Sequence, residues 1–188
     1  MERQGDETGG IPRLALVLGG ARSGKSRLAE SLALSLPGPR VYVATAEALD
    51  DEMASRIARH RADRGPDWIT VEAPRDLPRA ILAAPACGVI LVDCLTLWLS
   101  NLMLADEQAE PAFDALEEAL ASATAPVVLV SNEVGQGIVP DNALARDFRD
   151  RQGILNRRMA ARADRVVLAV AGLPLELKPT QASAGIFP

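Results

Sequence analysis

The sequence predicts an α/β protein with a mainly parallel sheet flanked by helices. Short unbroken apolar runs, helical stretches alternating with them, and glycine- or proline-rich joins carry that prediction. Leu14 to Leu18 is an apolar run of the kind a strand buried on both faces needs. A glycine loop follows, then a helical stretch from about Ser26 to Leu36, which Pro37-Gly38-Pro39 ends. Val41 to Thr45 reads as a second strand. Asp50 to Arg64 reads as a helix, its first-turn acids Asp50, Asp51 and Glu52 suiting the helix dipole. Trp68 to Glu72 reads as a strand, and Pro74 to Ala84 as a helix with Pro78 near its start.

Gly88 to Asp93 is the strongest buried strand of the chain. Leu95 to Ala105 then reads as an apolar helix, a stretch for core or subunit contact. Ala112 to Ala123 is amphipathic, with Phe113, Leu116 and Leu120 spaced three and four apart. Pro126 to Asn132 is another buried strand, followed by a glycine-rich loop to Asn142. A helix from about Ala143 to Ala163 and a last strand from Arg165 to Gly172 complete the pattern. The reading is one catalytic domain over residues 13–178, with a loose tail over 1–12 and a second over 179–188.

Composition narrows the function. The chain has 188 residues, 48% hydrophobic and 24% charged, with a net charge of −5. A negative chain with no clustered basic arm argues against nucleic-acid and polybasic membrane partners. No apolar stretch reaches membrane-spanning length, and the first residues hold no signal-peptide core. Two cysteines without metal spacing suit a reduced compartment, so a cytoplasmic location is expected.

Gly19, Gly20, Ala21, Arg22, Ser23, Gly24, Lys25 and Ser26 match the phosphate-loop pattern GxxxxGK[ST]. The glycines let backbone N–H groups wrap a phosphate chain at a helix N-terminus. Lys25 would reach the β- and γ-phosphates, and the Ser26 hydroxyl would ligate Mg²⁺. Only Lys25 and Lys178 are lysines, so position 25 uses a compact ammonium where the chain otherwise uses arginine. Asp93 ends an apolar strand and would hold Mg²⁺ opposite Ser26. A phosphate loop alone leaves the chemistry open among kinases, hydrolases and switches. The short chain favours a small-molecule transferase.

His60 is the only histidine, set among Arg56, Arg59, Arg61 and Arg64. On a helix, Arg56 and Arg64 lie one turn before and after it. Their charge disfavours imidazolium and keeps the ring nucleophilic. Spacing alone leaves two readings: a surface helix with a half-buried histidine, or a nucleophile for the α-phosphorus of a nucleotide.

Four blocks carry a resemblance: Gly19 to Glu30, Val41 to Arg61, Val92 to Leu102 and Ser131 to Val166. Together they resemble the bifunctional adenosylcobinamide kinase / adenosylcobinamide-phosphate guanylyltransferase family of cobalamin biosynthesis, from about Leu14 to Gly172. The resemblance implies a RecA-like P-loop NTPase fold and a propeller-shaped homotrimer. It implies phosphorylation of adenosylcobinamide with ATP or GTP. It then implies transfer of GMP from GTP to adenosylcobinamide phosphate through a guanylyl-histidine, which falls on His60. Nucleotide contacts are implied for Gly19 to Ser26, for Ala44, Thr45 and Ala46, for Arg61, Ala62, Asp63 and Arg64, and for Glu72 and Asp93. Kinase chemistry attacks the γ-phosphorus and guanylylation the α-phosphorus, so the His60 helix or the nucleotide is expected to shift between steps.

Other residues keep two readings at this point. Asn132 and Glu133 either orient substrate or the nucleotide-bearing loop, or Asn132 caps the turn before Gly135 and Gly137. Arg146, Arg149 and Asp150 read as surface charge pairing or as a contact to a neighbouring subunit, Trp98 as packing or as a cobinamide platform, with the first of each preferred, and Cys94 as a small core residue.

Overall fold

The computed structural model describes residues 12–47, 65 and 67–179. The helix assigned to Asp50–Arg64, with His60, lies outside the described residues. So does nearly all of the two tails. Among the described residues, seven strands form one sheet. They are β1 (Leu14–Gly19), β2 (Arg40–Ala44), β3 (Trp68–Glu72), β4 (Val89–Asp93), β5 (Val127–Asn132), β6 (Arg165–Val170) and β7 (Leu173–Lys178). The sheet order is β3-β2-β4-β5-β1-β6-β7, parallel except for the last pair. Among the described residues five helices accompany it: α1 (Lys25–Leu34), α2 (Leu77–Leu82), α3 (Leu95–Leu104), α4 (Ala109–Ser122) and α5 (Ala143–Arg162).

The apolar runs are unbroken because both sheet faces are covered. Alternate residues of one strand feed two separate cores. Leu16, Val41, Val43, Ile90, Val92 and Leu129 pack under α2–α5, with Trp98, Phe113 and Leu116. Ala15, Val17, Tyr42, Leu91, Val128 and Val130 pack against α1, through Ala29 and Ala33. The α3 stretch is core: Leu95, Trp98, Leu99 and Leu102 are buried, and Trp98 Nε1 donates to the Arg75 carbonyl at 2.7 Å. Cys94 is buried too, as expected.

One strand was not expected. Leu173–Lys178, a stretch of the domain to which the sequence assigns no element, returns antiparallel along β6. Its apolar residues stand exposed at the sheet edge, so the pattern of a buried strand is missing. The turn that makes the return, Ala171-Gly172, has φ of 53° and 82°. Two successive positive φ values suit the twist of a tight hairpin.

An ion-pair network joins α4 to α5. Arg158 bonds Asp114 and Glu117, and Arg162 bonds Glu117. Hydrogen bonds from Arg158 first, then from Arg162, hold the Glu117 carboxyl below its ordinary 4.5. A depressed folded pKa stabilises above the unfolded value, and the gain disappears as pH falls through the folded one. Glu117→Gln should therefore cost about 1 kcal/mol at neutral pH. That deficit should shrink as the pH falls below the ordinary glutamate range, which chemical denaturation at pH 7 and in acid would measure.

Candidate active site

The parallel strands all end on one edge, where ligands bind in open α/β sheets. Register then decides which side chains meet. Ala44 faces Glu72 on one side and Asp93 on the other. Gly19 faces Asn132. The order of strands places Glu72 four strand spacings, about 19 Å, from the end of β1. Glu72 is thus at the far side of the site from the phosphate loop, and it is exposed.

The phosphate loop connects β1 to α1. Gly19 is required by space: a Cβ there would lie 2.3 Å from Ser23 Oγ and 2.9 Å from the Ala169 carbonyl. Arg22 and Gly24 both take positive φ, 56° and 91°. No side chain caps α1, and its first turn holds no acid. Its N–H groups and its positive dipole end are therefore open to an anion. Lys25 Nζ folds back on the Gly20 carbonyl at 3.2 Å, a neutral acceptor that an arriving phosphate would outcompete.

The unexpected hairpin braces this loop. Gly172 N–H donates to the Ser23 carbonyl at 2.9 Å. A Cβ on Gly24 would come within 3.2 Å of Gly172 Cα. Gly172→Pro removes the donor and cannot adopt a φ of 82°. It should weaken GTP binding about tenfold, through one lost hydrogen bond and a displaced loop. Titration calorimetry with GTP would read the change.

The opposite half of the edge is fixed by buried polar contacts. Thr45 is fully buried, and its Oγ1 donates to the Cys94 carbonyl and accepts the Cys94 N–H, both at 2.7 Å. The Thr45 hydroxyl is thereby spent on structure, which leaves backbone as its means of touching a ligand. Asn101 on α3 donates to the carbonyls of Thr45 and Pro74, tying together the loops after β2 and β3. Ala46 is half-buried beside them.

Asp93 closes β4, followed by a cis peptide to Cys94. Its Oδ2 accepts the Tyr42 hydroxyl at 3.2 Å. Sequence reasoning passed over Tyr42, although strand alternation puts it on the α1 face with Asp93. Burial first, then the negative charge of Asp93, pushes the Cys94 thiol up to about 11. It stays protonated at neutral pH and is no nucleophile.

Asn132 is held by its backbone. Its N–H donates to Thr96 Oγ1 and its carbonyl accepts from Asn156 Nδ2. Ser131, Gln152 and Asn156 form a buried hydrogen-bonded cluster behind it. Glu133 Oε1 accepts the Gly135 N–H, so the turn-capping role falls to Glu133 rather than Asn132. Arg149 pairs with Asp150 as a surface contact, while Arg146 bonds the carbonyls of Pro140 and Asp141.

The donors at the loop suit a hard divalent cation. Ser26 and Asp93 supply oxygen only, and no group of three or more His, Cys, Asp or Glu side chains gathers among the described residues. A cation here would complete its shell with phosphate and water oxygens, as Mg²⁺ does. His60, Arg61, Ala62, Asp63 and Arg64 lie outside the described residues.

Comparison with known proteins identifies the family. A family model described as cobinamide kinase / cobinamide phosphate guanyltransferase matches residues 15–177. The bifunctional adenosylcobalamin biosynthesis protein CobP of Pseudomonas aeruginosa is 48% identical over 166 residues, covering 87% of this chain and 96% of that protein. CobU of Salmonella typhimurium, of the same description, is 43% identical over 181 residues, covering 88% and 99%. Among solved structures, an ATPase from a bacterial type III secretion system aligns with a TM-score of 0.52 at 11% identity, over 90% of this chain and 59% of its own. That likeness bears on fold alone.

Proposed function

This chain belongs to the cobinamide kinase / cobinamide phosphate guanyltransferase family, and from that premise we propose how its residues divide two reactions. It is a transferase of cobalamin biosynthesis, acting as cobinamide kinase and as cobinamide phosphate guanylyltransferase. Residues 13–178 act as one catalytic domain. In the first reaction a hydroxyl of adenosylcobinamide attacks the γ-phosphorus of ATP or GTP. The bond to the β-phosphate oxygen breaks, the nucleoside diphosphate leaves, and the hydroxyl proton is released.

In the second reaction neutral His60 attacks the α-phosphorus of GTP, and pyrophosphate leaves. A phosphate oxygen of adenosylcobinamide phosphate then attacks the same phosphorus, and the P–N bond breaks. The products are adenosylcobinamide-GDP and free histidine. Gly19 to Ser26 hold the triphosphate, with Lys25 as the charged contact to its outer phosphates. Arg61, Ala62, Asp63 and Arg64 adjoin the histidine and contact nucleotide. Ala44, Thr45, Ala46 and Glu72 line the rest of the nucleotide's course along the strand ends. Ser26 and Asp93 hold Mg²⁺, which when bound draws negative charge from the phosphate oxygens.

The observation that carries this reading is the open N-terminus of α1 behind a glycine-shaped loop, with Asp93 on the same sheet face. A homotrimer belongs to the reading. Its support is the exposed apolar row Val170, Leu173, Leu175 and Leu177 at the sheet edge, a surface that a neighbouring subunit would cover. A cytoplasmic setting accords with two unpaired cysteines. Among the described residues no helix is long and apolar enough to cross a membrane. Purified protein given adenosylcobinamide, GTP and Mg²⁺ should yield first a product heavier by one phosphate and then one heavier by GMP. Mass spectrometry showing neither would defeat the proposal.

A further inference from the structure

We propose that Tyr42 is a positioning residue for the Asp93 carboxylate, and that its phenol senses the cation Asp93 holds. The inference rests on the reading of Asp93 as a metal-holding acid.

Strand geometry brings the pair together. Tyr42 pairs in register with Leu91 of β4, so Asp93 is its diagonal neighbour two residues on. Diagonal pairs lie within reach of long aromatic side chains. The residue directly opposite Asp93 is Ala44, whose small side chain leaves that path open. Tyr42 and Leu91 belong to the α1-side core, and alternation puts Asp93 on the same face.

Packing then fixes the phenol. Tyr42 is only 5% exposed, and its ring meets Trp68 edge-on with centroids 6.1 Å apart. Its hydroxyl donates to Asp93 Oδ2 at 3.2 Å. A carboxylate otherwise turns freely about its last torsion. Engaging Oδ2 restricts that torsion and leaves Oδ1 as the oxygen for a cation. A pre-set oxygen costs a cation less ordering than one that must be found. Hydrogen bonds to charged groups are the stronger class, so losing this one should be measurable.

Tyr42 is also the only tyrosine of the chain. A 3-fluorotyrosine label therefore reports one site. In the full-length protein loaded with a non-hydrolysable GTP analogue, adding Mg²⁺ should shift this single ¹⁹F resonance. The shift should vanish in Asp93→Ala. With Mn²⁺ as a spin probe, Tyr42→Phe should weaken binding to the loaded protein about tenfold. Asp93→Ala should abolish tight Mn²⁺ binding.

The outcomes separate the two ideas. Wild-type Mn²⁺ affinity in Tyr42→Phe, with binding lost in Asp93→Ala, overturns the role of Tyr42 and leaves Asp93 in place. Unchanged binding in Asp93→Ala removes the metal reading and the inference with it. Should Tyr42→Phe fail to fold, the fluorine label on the wild-type sequence still decides: a resonance that ignores Mg²⁺ overturns the proposal.

Discussion

His60→Ala should abolish covalent capture of the guanylyl group. Incubation of the wild-type protein with GTP labelled at the α-phosphate should leave label on the protein that is lost in acid and stable in alkali, as expected of phosphorus on nitrogen. The variant should carry none, and transfer of GMP to adenosylcobinamide phosphate should fall by roughly a thousandfold or more, the scale of losing a covalent nucleophile. The chain offers no second histidine to substitute. Cys94 cannot replace it, because burial beside Asp93 keeps its thiol protonated. The kinase reaction should survive within a few-fold, since there the substrate hydroxyl attacks and the imidazole has no bond to make. Label retained on the variant would move the intermediate to another residue. Loss of both reactions would show that the histidine serves the cradle and not only the guanylyl step.

The scaffold was legible because parallel strands advertise themselves. A strand buried on both faces must be apolar along its buried length, and β1, β4 and β5 are, up to the polar residues at the ends of β4 and β5. Their ends carry the residues that the motif and the resemblance single out: Gly19, Asp93 and the start of α1 at Lys25. β7 obeys no such rule. It lies at the edge with Leu173, Leu175 and Leu177 exposed; these leucines do alternate with Pro174, Glu176 and Lys178, but the run is not continuously apolar and a proline interrupts it, so it does not read as a buried strand. The Ala171-Gly172 pair marks the return, but a lone glycine after a strand is a weak turn signal.

The site divides in the same way. Spacing within a short loop defines a phosphate cradle, because backbone N–H groups do the binding and glycines permit it. Contacts between distant segments leave no such local trace. Gly172 lies 149 positions after Ser23, yet its N–H supports the loop. Tyr42 lies 51 positions before Asp93, and only the β2–β4 register makes them neighbours. The nucleotide contact at Thr45 is implied by the resemblance, not by any local pattern. The Thr45 hydroxyl is taken up by the Cys94 backbone, which leaves its main chain to meet a ligand. The histidine role came from the resemblance, since helical spacing among arginines did not choose between a packed ring and a nucleophile.

Lys25→Ala should lower both reactions, by about a hundredfold to a thousandfold each. That is the scale of removing one preorganised charge from a site where phosphate charge develops. Lys25 Nζ rests on a backbone carbonyl at 3.2 Å, close enough to exchange that neutral acceptor for a phosphate oxygen without rearranging the helix. Lys25→Arg should rescue little, because a planar fork does not fit a loop shaped around a compact ammonium. The fold should be spared, since the side chain makes one contact to a loop carbonyl and belongs to neither core. Parallel assays of phosphate transfer and of guanylyl capture make the result diagnostic. If both fall together, one cradle serves the γ-phosphate in the first reaction and the departing pyrophosphate in the second. If only the kinase reaction falls, the GTP that guanylylates His60 sits in a second place, and the division of residues between the two reactions has to be redrawn around it.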